Sequence, residues 1–480
     1  MSRRTKIVAT IGPASDDPRI LEAMVVAGMN AARVSLAHGP LEEALERIRR
    51  IRAITGEERL IGVLADLPGP KIRAGAFPEG GVGLTAGVLV DLVPGGDGEG
   101  SDERAIAVDH PAALGALRDD DRIAIGDGAV ELLVREGRAD RVTVEVLSGG
   151  WVQGRPGLSL PSSSLAIASP TPRDLQLLEA LAEAEVDSVA ISFVRAADDI
   201  ARARAWIGAG GPRLIAKIET QEAVDALEEI IAVADGVMVA RGDLGIRCRL
   251  EDVPHHQKRI IRAGVAYGRP VITATQMLES MVRAPAPTRA EVSDIANAVF
   301  DGTSALMLSG ETAIGHDPAG AVRTMARVAT RAEQEFDYGR WGRELGRQQT
   351  DDAAGAPARD RITAAISAAA WRAANDAEVA AIIACTETGN TARAISRFRP
   401  TVPVLAATPS LATARQLSIA WGIAAMLVGR HSTTDEIVWF AVQAAVSTGV
   451  LRTGDLVAVL VGSPTEPDAV TDTLRLVRIQ

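Results

Sequence analysis

The sequence predicts an α/β protein with a (β/α)8 TIM barrel, a small all-β domain inserted in it and a three-layer α/β domain after it. Eight short, nearly continuously apolar segments are followed in most cases by helical periodicity. Such apolar runs are typical of parallel strands buried on both faces, and eight strand–helix units are typical of a closed barrel. The long gap between Asp66 and Ser188 leaves room for the inserted domain.

The barrel strands are predicted from short apolar runs that end in turn or polar residues. They are Lys6–Ile11, Met29–Ser35, Ile61–Asp66, Ser188–Phe193, Arg213–Glu219, Gly236–Ala240, Pro270–Thr275 and Ala305–Ser309. Helical patterns between them include Pro18–Ala27, Leu41–Arg52 and Gln221–Val233. A Rossmann sheet is disfavoured because it requires a glycine fingerprint after the first strand, and Thr10–Pro13 is not one.

Residues 75–156 predict an inserted β-barrel domain. Their segments Arg122–Ile125, Ala129–Val134 and Arg141–Leu147 alternate apolar and polar residues between glycine and aspartate turns, which is typical of half-buried strands. The barrel domain therefore takes residues 1–74 and 157–341.

Residues 342–480 predict a separate C-terminal α/β domain. The polar stretch Gly342–Asp360 predicts a linker or a long surface loop. The elements predicted after it are helices Ile362–Asn375 and Thr391–Phe398 and strands Ala380–Ala384, Val404–Ala407 and Asp455–Val461.

Charge and composition argue against several classes of protein. Lys and Arg total 51 against 62 Asp and Glu, a net charge of −11, which argues against nucleic-acid binding. The two cysteines, Cys248 and Cys385, are too few for a disulfide framework or a four-thiolate zinc site and suit a reducing compartment. With no apolar run of about 18 residues and no visible signal peptide, we expect a cytoplasmic protein without membrane contacts.

Polar residues at the strand ends are the candidate site residues, because catalytic groups of barrels lie at the carboxyl ends of strands. Lys217 and Glu219 are two residues apart, so on a strand their side chains point the same way. Asp243 lies between Gly242 and Gly245 after the next strand, and the two carboxylates would supply hard oxygens for Mg²⁺ or Mn²⁺. A rim salt bridge and a capped turn are the structural alternatives. The remaining candidates are Arg33, Asp66, Lys71, Arg73, Thr275 and Ser309.

Long blocks of the chain resemble pyruvate kinases. In chain order they are Lys6–Pro13, Ala27–Asn30, Gly69–Arg73, Ala216–Glu219, Met238–Gly245, Ala274–Met281, Pro287–Asp294, Met307–Ala313, Thr386–Arg393 and Arg399-Pro400. They lie in the predicted barrel domain on both sides of the insertion and in the predicted C-terminal domain. The resemblance implies Mg²⁺-dependent phosphoryl transfer from phosphoenolpyruvate to ADP, giving pyruvate and ATP in glycolysis. It also implies that the enzyme is a homotetramer.

The resemblance also implies roles for the catalytic residues. Lys217 would hold the transferring phosphoryl group and neutralise the charge that develops on it. Glu219 and Asp243 would bind Mg²⁺, and Arg33 and Arg73 would clamp phosphates. Positioning and electrostatic neutralisation supply nearly all the catalysis of such a reaction.

Other positions that match the family hold the substrate and the nucleotide. The Gly242 backbone and Thr275 would hold the substrate carboxylate, with Asp243 beside them, and water ordered near Thr275 and Ser309 would protonate the enolate. Arg73 and His38 match nucleotide-side positions, and a polar contact at a helix N-terminus is the alternative for His38. The inserted domain would close as a lid and exclude water.

The monovalent-cation site departs from the family pattern. Where many relatives bind K⁺, this chain has Ser35, Ala37, Asp66 and Leu67, and Lys71 replaces a family glutamate. Ala37 and Leu67 offer no side-chain oxygen, while the Lys71 ammonium near Asp66 would supply a permanent positive charge. We therefore expect activity without K⁺; a degraded cation site is the alternative.

The lid hinge departs from the family as well. Relatives read Lys-Gly-Val-Asn-Leu-Pro where this chain has Pro156–Pro161. A lysine expected near the nucleotide phosphates is therefore absent, and Arg155 is the nearest substitute.

A loop of the C-terminal domain predicts a phosphate cradle at a helix N-terminus. The family uses this loop for phosphorylated effectors. The alternative is that two residues of this loop cap the helix. Glu387 would oppose a bound anion if its side chain pointed inward. The loop residues are Thr386, Thr388, Gly389, Asn390 and Thr391, and the capping candidates are Thr388 and Asn390.

Two other functions stay open from the residues alone. A Mg²⁺-dependent lyase or aldolase acting on the pyruvate enolate would need paired carboxylates and an arginine, but not Lys217, Lys71 or a nucleotide lid. A catalytically weak paralogue serving as a regulatory subunit is the other, although every core catalytic position is present.

Overall fold

A computed structural model describes most of the chain, and the account below refers to those residues. They are 3–37, 39–56, 58–70, 72–95, 99–126, 128, 130–138, 140–160, 168–208, 210–352, 358–462 and 470–480.

Eight parallel strands form a closed barrel, which confirms the predicted fold class. The first strand closes the ring by pairing with the eighth, with Lys6 opposite Ala305. The strands are Lys6–Thr10, Ala31–Ser35, Gly62–Asp66, Ser188–Ile191, Arg213–Ile218, Gly236–Ala240, Val271–Ala274 and Ala305–Leu308. The observed bounds lie within the predicted ones, because a strand buried on both faces is apolar along its whole length.

The barrel interior is packed rather than open, as in other (β/α)8 barrels. Each strand contributes at least one buried inward side chain to it, and Ile419 from the C-terminal region joins the same cluster. The inward residues, one from each strand, are Val8, Ala31, Leu64, Ala190, Ile215, Met238, Ile272 and Ala305.

Helices cover the outside of the barrel and bury their apolar faces against the strands. The predicted helix Gln221–Val233 forms two helices in the structure, because the helix is interrupted at Ala226. The α-helices are Pro18–Ala27, Leu41–Thr55, Pro172–Glu183, Ala197–Ile207, Gln221–Asp225, Leu227–Val233, Arg241–Arg247, Val253–Ala266, Arg289–Phe300, Gly310–Ala313 and Pro318–Glu333, with 3-10 turns at Leu250–Asp252 and Glu279–Val282.

The inserted region forms a seven-stranded sheet around its own apolar core. A bridge between Ala74 and Val108 links the two ends of this sheet, so the sheet curls towards a barrel. In sheet order the strands are Ile72–Arg73, Gly157–Ser159, Arg122–Ile125, Val130–Arg138, Arg141–Ser148, Leu89–Pro94 and Ala105–Val108. A short pair, Val82–Leu84 with Gly150–Val152, and the helix Pro111–Leu114 complete it.

The C-terminal region is a five-stranded sheet with a helical layer on each face. Four strands are parallel and the last one is antiparallel. In sheet order the strands are Ile423–Leu427, Val404–Thr408, Ala381–Cys385, Leu456–Gly462 and Thr471–Arg478, and the helices are Ala358–Asp376, Asn390–Ser396, Leu411–Gln416 and Thr434–Ser447, with a 3-10 turn at Leu417–Ile419.

The predicted linker over Gly342–Asp360 is wrong in its described part. The helix Tyr338–Asp352 runs through it, and a second helix starts at Ala358. Trp341 and Leu345, one turn apart, anchor the first helix: Leu345 is buried, and the Trp341 indole N–H donates to the Arg397 carbonyl oxygen at 2.9 Å. A helix anchored by one narrow stripe has low overall hydrophobicity and resembles a loop in sequence.

No helix among the described residues is long and apolar enough to cross a membrane.

Candidate active site

Lys217 lies at the centre of a buried ion cluster at the carboxyl end of the fifth barrel strand. Its ammonium donates to Ser192 Oγ at 2.8 Å and lies 2.8 Å from Glu219 Oε1 and 3.3 Å from Asp66 Oδ1. Burial disfavours the charged form, but Asp66, Glu219 and Asp243 together hold the pKa of Lys217 above that of a free lysine. The barrel mouth therefore contains a permanent cation.

Arg33 on the second strand adds a second cation to this cluster. Its Nε lies 2.8 Å from Asp66 Oδ2, and its Nη1 donates to Thr10 Oγ1 at 2.9 Å. Burial works against ionised Asp66, yet Lys217 and Arg33 bring its pKa below the usual aspartate value. Asp66 is thus a carboxylate held between two cations.

Glu219 has an oxygen that the protein does not saturate with hydrogen bonds. Its carboxylate is fully buried, and Oε2 accepts the Phe193 backbone N–H at 2.7 Å. Oε1 forms an ion pair with the Lys217 ammonium at 2.8 Å and makes no further hydrogen bond to the described residues. Burial raises the pKa of Glu219; Lys217 opposes this rise and the charge of Asp243 adds to it.

The donor set at the mouth fits a divalent cation with few protein ligands. Glu219 supplies a buried oxygen with free lone pairs, and Asp243 is close enough to influence its pKa. Among the described residues, no three His, Cys, Asp or Glu side chains cluster as a metal site. A two-carboxylate site leaves positions for water and substrate oxygens, as Mg²⁺ requires.

Gly242 and Thr275 meet at the ends of the sixth and seventh strands. The Gly242 N–H donates to Thr275 Oγ1 at 2.8 Å. Thr275 and Gln276 have positive φ values of 72° and 54°, a costly conformation for residues with a side chain that is common at functional sites. Arg241 holds this turn, since its guanidinium donates to the Thr275 carbonyl oxygen at 2.7 Å.

Ser309 directly follows the eighth barrel strand. Its Oγ is buried and makes no hydrogen bond to the described residues. Its backbone N–H donates to Glu311 Oε2 at 2.7 Å, and the other oxygen of Glu311 accepts from Leu278 N–H at 2.9 Å. Glu311 thereby fixes the eighth-strand loop to the loop that carries Thr275.

Arg73 connects the inserted sheet to the barrel. One Nη donates to the Ala37 carbonyl oxygen at 3.5 Å, and the other donates to the Arg155 carbonyl oxygen at 3.4 Å. Arg73 therefore lies between the second-strand loop and the lid hinge. Two predicted site residues, His38 and Lys71, lie outside the described residues.

The oxygens at the predicted monovalent-cation positions already have partners. The Asp66 carboxylate contacts Arg33 and Lys217. The Leu67 carbonyl oxygen accepts from Ser192 Oγ at 2.7 Å, and Ser35 Oγ accepts from the Ala37 N–H at 3.4 Å.

The loop 386–391 is organised by internal hydrogen bonds. The Gly389 N–H donates to Thr386 Oγ1 at 2.9 Å, and the Thr391 and Thr471 hydroxyls are 2.6 Å apart. Glu387 is engaged by Arg430 at 3.2 Å. The helix Asn390–Ser396 has no side-chain cap, so the alternative of capping by Thr388 or Asn390 is wrong. The effector role of this loop stays a prediction.

Sequence reasoning missed Ser192, Arg241 and Arg247. Ser192 joins Lys217 to Leu67, and Arg241 lies in a block that carries the family resemblance. Arg247 lies over the Phe193 ring, 4.7 Å from its centroid, and donates to the Leu160 carbonyl oxygen at 3.4 Å. No sequence signal marks Arg247, because its partners come from distant parts of the chain.

Comparisons with known proteins agree with this architecture. Residues 2–322 match the family model described as pyruvate kinase, barrel domain, and residues 364–477 match that described as pyruvate kinase, alpha/beta domain. Curated relatives named pyruvate kinase include proteins from Clostridium acetobutylicum, Methylorubrum extorquens and Bacillus licheniformis. They are 37%, 39% and 40% identical over 99%, 99% and 96% of this chain, covering 99%, 97% and 78% of the relatives.

Proposed function

The chain belongs to the pyruvate kinase family, and on that premise we propose that it catalyses Mg²⁺-dependent phosphoryl transfer from phosphoenolpyruvate to ADP in glycolysis, without a requirement for K⁺. The observation that carries this proposal is the ion cluster of Lys217 with Asp66 and Glu219 at the barrel mouth. Phosphoryl transfer depends on positioning and on neutralising negative charge, and this cluster offers a fixed cation paired with a buried carboxylate.

Lys217 neutralises charge on the phosphoryl group as it moves. Its raised pKa keeps it protonated at neutral pH, and its position among carboxylates fixes the ammonium before substrate arrives, so little reorganisation is needed during the reaction. Arg33 and Arg73 supply further cations for phosphate oxygens, and Arg73 would bring the lid hinge to the nucleotide.

Glu219 and Asp243 are the residues that would hold Mg²⁺. With a divalent cation held there, these two carboxylates would provide a site where substrate oxygens are polarised and enolate charge is neutralised. Glu219 fits this role because ligation would satisfy its buried Oε1 and relieve the repulsion from Asp243.

Gly242 and Thr275 would hold the substrate carboxylate, since an N–H and a hydroxyl converge there. The buried Ser309 hydroxyl, which makes no hydrogen bond to the described residues, would help to order the water that protonates the enolate. His38 on the nucleotide side, the homotetramer and a phosphorylated effector stay predictions.

K⁺ independence is supported by the partners of the candidate cation ligands. A K⁺ ion needs several oxygen ligands, whereas Ala37 and Leu67 offer no side-chain oxygen and the Asp66 carboxylate is already paired with Arg33 and Lys217. The Lys71 ammonium would supply the corresponding positive charge as a part of the chain, so no separate cation has to bind.

A coupled assay of pyruvate formation from phosphoenolpyruvate and ADP tests both parts of the proposal. With Mg²⁺ present and ionic strength held constant by a tetramethylammonium salt, turnover without K⁺ should be within about twofold of that with K⁺, since an occupied charge site leaves nothing for K⁺ to stabilise. Activation of tenfold or more by K⁺ would refute K⁺ independence alone. Absence of pyruvate formation under all conditions would instead leave the weak regulatory paralogue.

A further inference from the structure

Arg213 connects the C-terminal domain to the barrel strand that carries the catalytic lysine. It is the first residue of the fifth strand, Arg213–Ile218, and Lys217 lies near the other end of that strand. Its Nη2 donates to the Thr388 carbonyl oxygen at 2.9 Å, and its Nε donates to Gln416 Oε1 at 2.9 Å. Both acceptors belong to the C-terminal domain, so the start of this strand is bonded across the domain boundary.

A third nitrogen of Arg213 binds the start of the sixth strand. Its Nη1 lies 3.1 Å from Asp235 Oδ1, and Asp235 directly precedes the strand Gly236–Ala240. Asp235 Oδ2 accepts the Leu214 N–H at 2.9 Å, and the Asp235 N–H donates to the Leu214 carbonyl oxygen at 2.9 Å. Arg213 and Asp235 therefore join the fifth and sixth strands at the point where both begin.

The Asp235 carboxylate is largely buried and stays ionised at this junction. Burial works against its charge, but the Leu214 N–H and the charges of Arg204 and Arg213 bring the pKa of Asp235 below the usual aspartate value. Arg204 binds the same carboxylate from within the barrel and donates to the Pro212 carbonyl oxygen at 3.2 Å. The two arginines share one carboxylate, and Arg213 adds the bonds to the C-terminal domain.

The opposite ends of these two strands lead to the candidate active site. Glu219 directly follows the fifth strand, and Asp243 lies three residues beyond the end of the sixth. Because a strand rises about 3.3 Å per residue, Arg213 lies about 13 Å from Lys217 along the strand. A strand in a close-packed interior shifts as a unit, and a displacement of about 1 Å at a reacting group can lower the rate about 100-fold.

We propose that Arg213 is a positioning residue for the metal site. Through its bonds to Thr388 and Gln416, the C-terminal domain sets the stagger of the fifth strand against the sixth. That stagger fixes the separation of Glu219 and Asp243, the proposed metal ligands. The inference rests on the proposed metal site, and it requires no ligand in the C-terminal domain.

Binding of Mn²⁺ to the full chain tests this role without the reaction. Electron paramagnetic resonance of free Mn²⁺, in the absence of phosphoenolpyruvate and ADP, measures the affinity, and Glu219→Gln gives the level of binding at other sites. Arg213→Gln should weaken Mn²⁺ binding about fivefold, because a disturbed stagger misplaces the ligands of a site that has few of them. In the coupled assay kcat should fall by a similar factor.

Two variants separate positioning from a general loss of stability. Arg204→Gln removes an ion pair with the same Asp235 but no bond to the C-terminal domain, so Mn²⁺ affinity should stay within about twofold of the wild type even if the unfolding midpoint falls. Arg213→Lys keeps a cation near Asp235, but a single ammonium lacks the fork that reaches three acceptors. It should therefore bind Mn²⁺ nearly as weakly as Arg213→Gln.

Gln416→Ala removes one of the contacts from the other side of the domain boundary. It should weaken Mn²⁺ binding about twofold, and its combination with Arg213→Gln should add little to Arg213→Gln alone, since the two residues act through one contact.

The outcomes distinguish the role of Arg213 from the metal site on which it acts. Wild-type affinity in Arg213→Lys, or equal losses in Arg204→Gln and Arg213→Gln, would overturn the inference, because the ion pair inside the barrel would then suffice. Wild-type binding that Arg213→Gln leaves unchanged would also overturn it, while the metal site would stand. A wild-type chain that binds no Mn²⁺ would refute the metal site and this inference together.

Discussion

Replacing Lys217 by methionine tests the central element of the site. The change removes an ammonium that lies 2.8 Å from Glu219 Oε1 and 3.3 Å from Asp66 Oδ1 while it keeps an unbranched apolar side chain. Loss of a single preorganised charge stabiliser costs up to about 10³-fold in turnover, or about 4 kcal/mol. The pKa of Glu219 is already raised by burial and would rise further without the ammonium, so its protonation would weaken Mg²⁺ binding and add to the loss.

We therefore expect Lys217→Met to lower kcat by about 10³-fold or more, with a smaller change in the KM for phosphoenolpyruvate. Steady-state kinetics with the coupled assay measures both quantities. Lys258→Met, which removes a partly exposed lysine paired with Asp301, is the matched control and should keep nearly full turnover. Retention of a tenth of wild-type turnover by Lys217→Met would refute the role of this ammonium.

The same variant should also change acid stability. The pKa of Asp66 is lowered by Lys217 and Arg33 in the folded protein, so ionised Asp66 contributes stability above its unfolded pKa that is lost as pH falls through the folded pKa. Without Lys217, only Arg33 remains to lower the pKa of Asp66, so the pKa of Asp66 in the folded protein should rise. Denaturant unfolding at several acidic pH values should show a shallower loss of stability for Lys217→Met than for the wild type; parallel curves would contradict this.

Three further predictions concern the proposed metal ligands, Lys71 in place of K⁺, and the contact of Arg247 with Leu160 and Phe193. Glu219→Gln and Asp243→Ala should each raise the Mg²⁺ concentration for half-maximal activity, because each removes a hard oxygen from a site with few protein ligands; an unchanged Mg²⁺ titration excludes that residue as a ligand. Lys71→Glu should abolish most activity with little rescue by K⁺, and full rescue would show that backbone oxygens and water suffice. Arg247→Met should raise the Mg²⁺ requirement and lower kcat about tenfold, because Arg247 links the Leu160 carbonyl to Phe193, whose N–H holds Glu219. The nearby exposed Arg249→Met is its control, and equal kinetics of the two variants would show that the Arg247 contact is not functional.

The sequence by itself determined the barrel and most of its strand bounds. Strands such as Arg213–Ile218 are buried on both faces, so their apolar runs are a local property of the chain. The pairing of Lys217 with Glu219 was also predictable, because alternate residues of a strand share one side. The family resemblance then supplied the roles of residues that spacing alone left open.

Prediction from the local sequence pattern failed where a few tertiary contacts decide the secondary structure. The helix Tyr338–Asp352 resembles a linker in composition, and its stability depends on Trp341 and Leu345 packing against distant parts of the chain. A helical periodicity carried by so few apolar positions is hard to detect in the sequence. The helix is instead stabilised by the tertiary packing of those few side chains.

Tertiary structure alone decided which side chains converge. Closure of the barrel brings Asp66, Ser192 and Lys217 together at the carboxyl ends of three strands, and the docking of two domains gathers arginines around one cleft. Electrostatic interaction depends on distance and burial rather than on separation along the chain. For this reason the residue types were visible in the sequence, but their pKa shifts and the burial of the Glu219 carboxylate followed only from the folded arrangement.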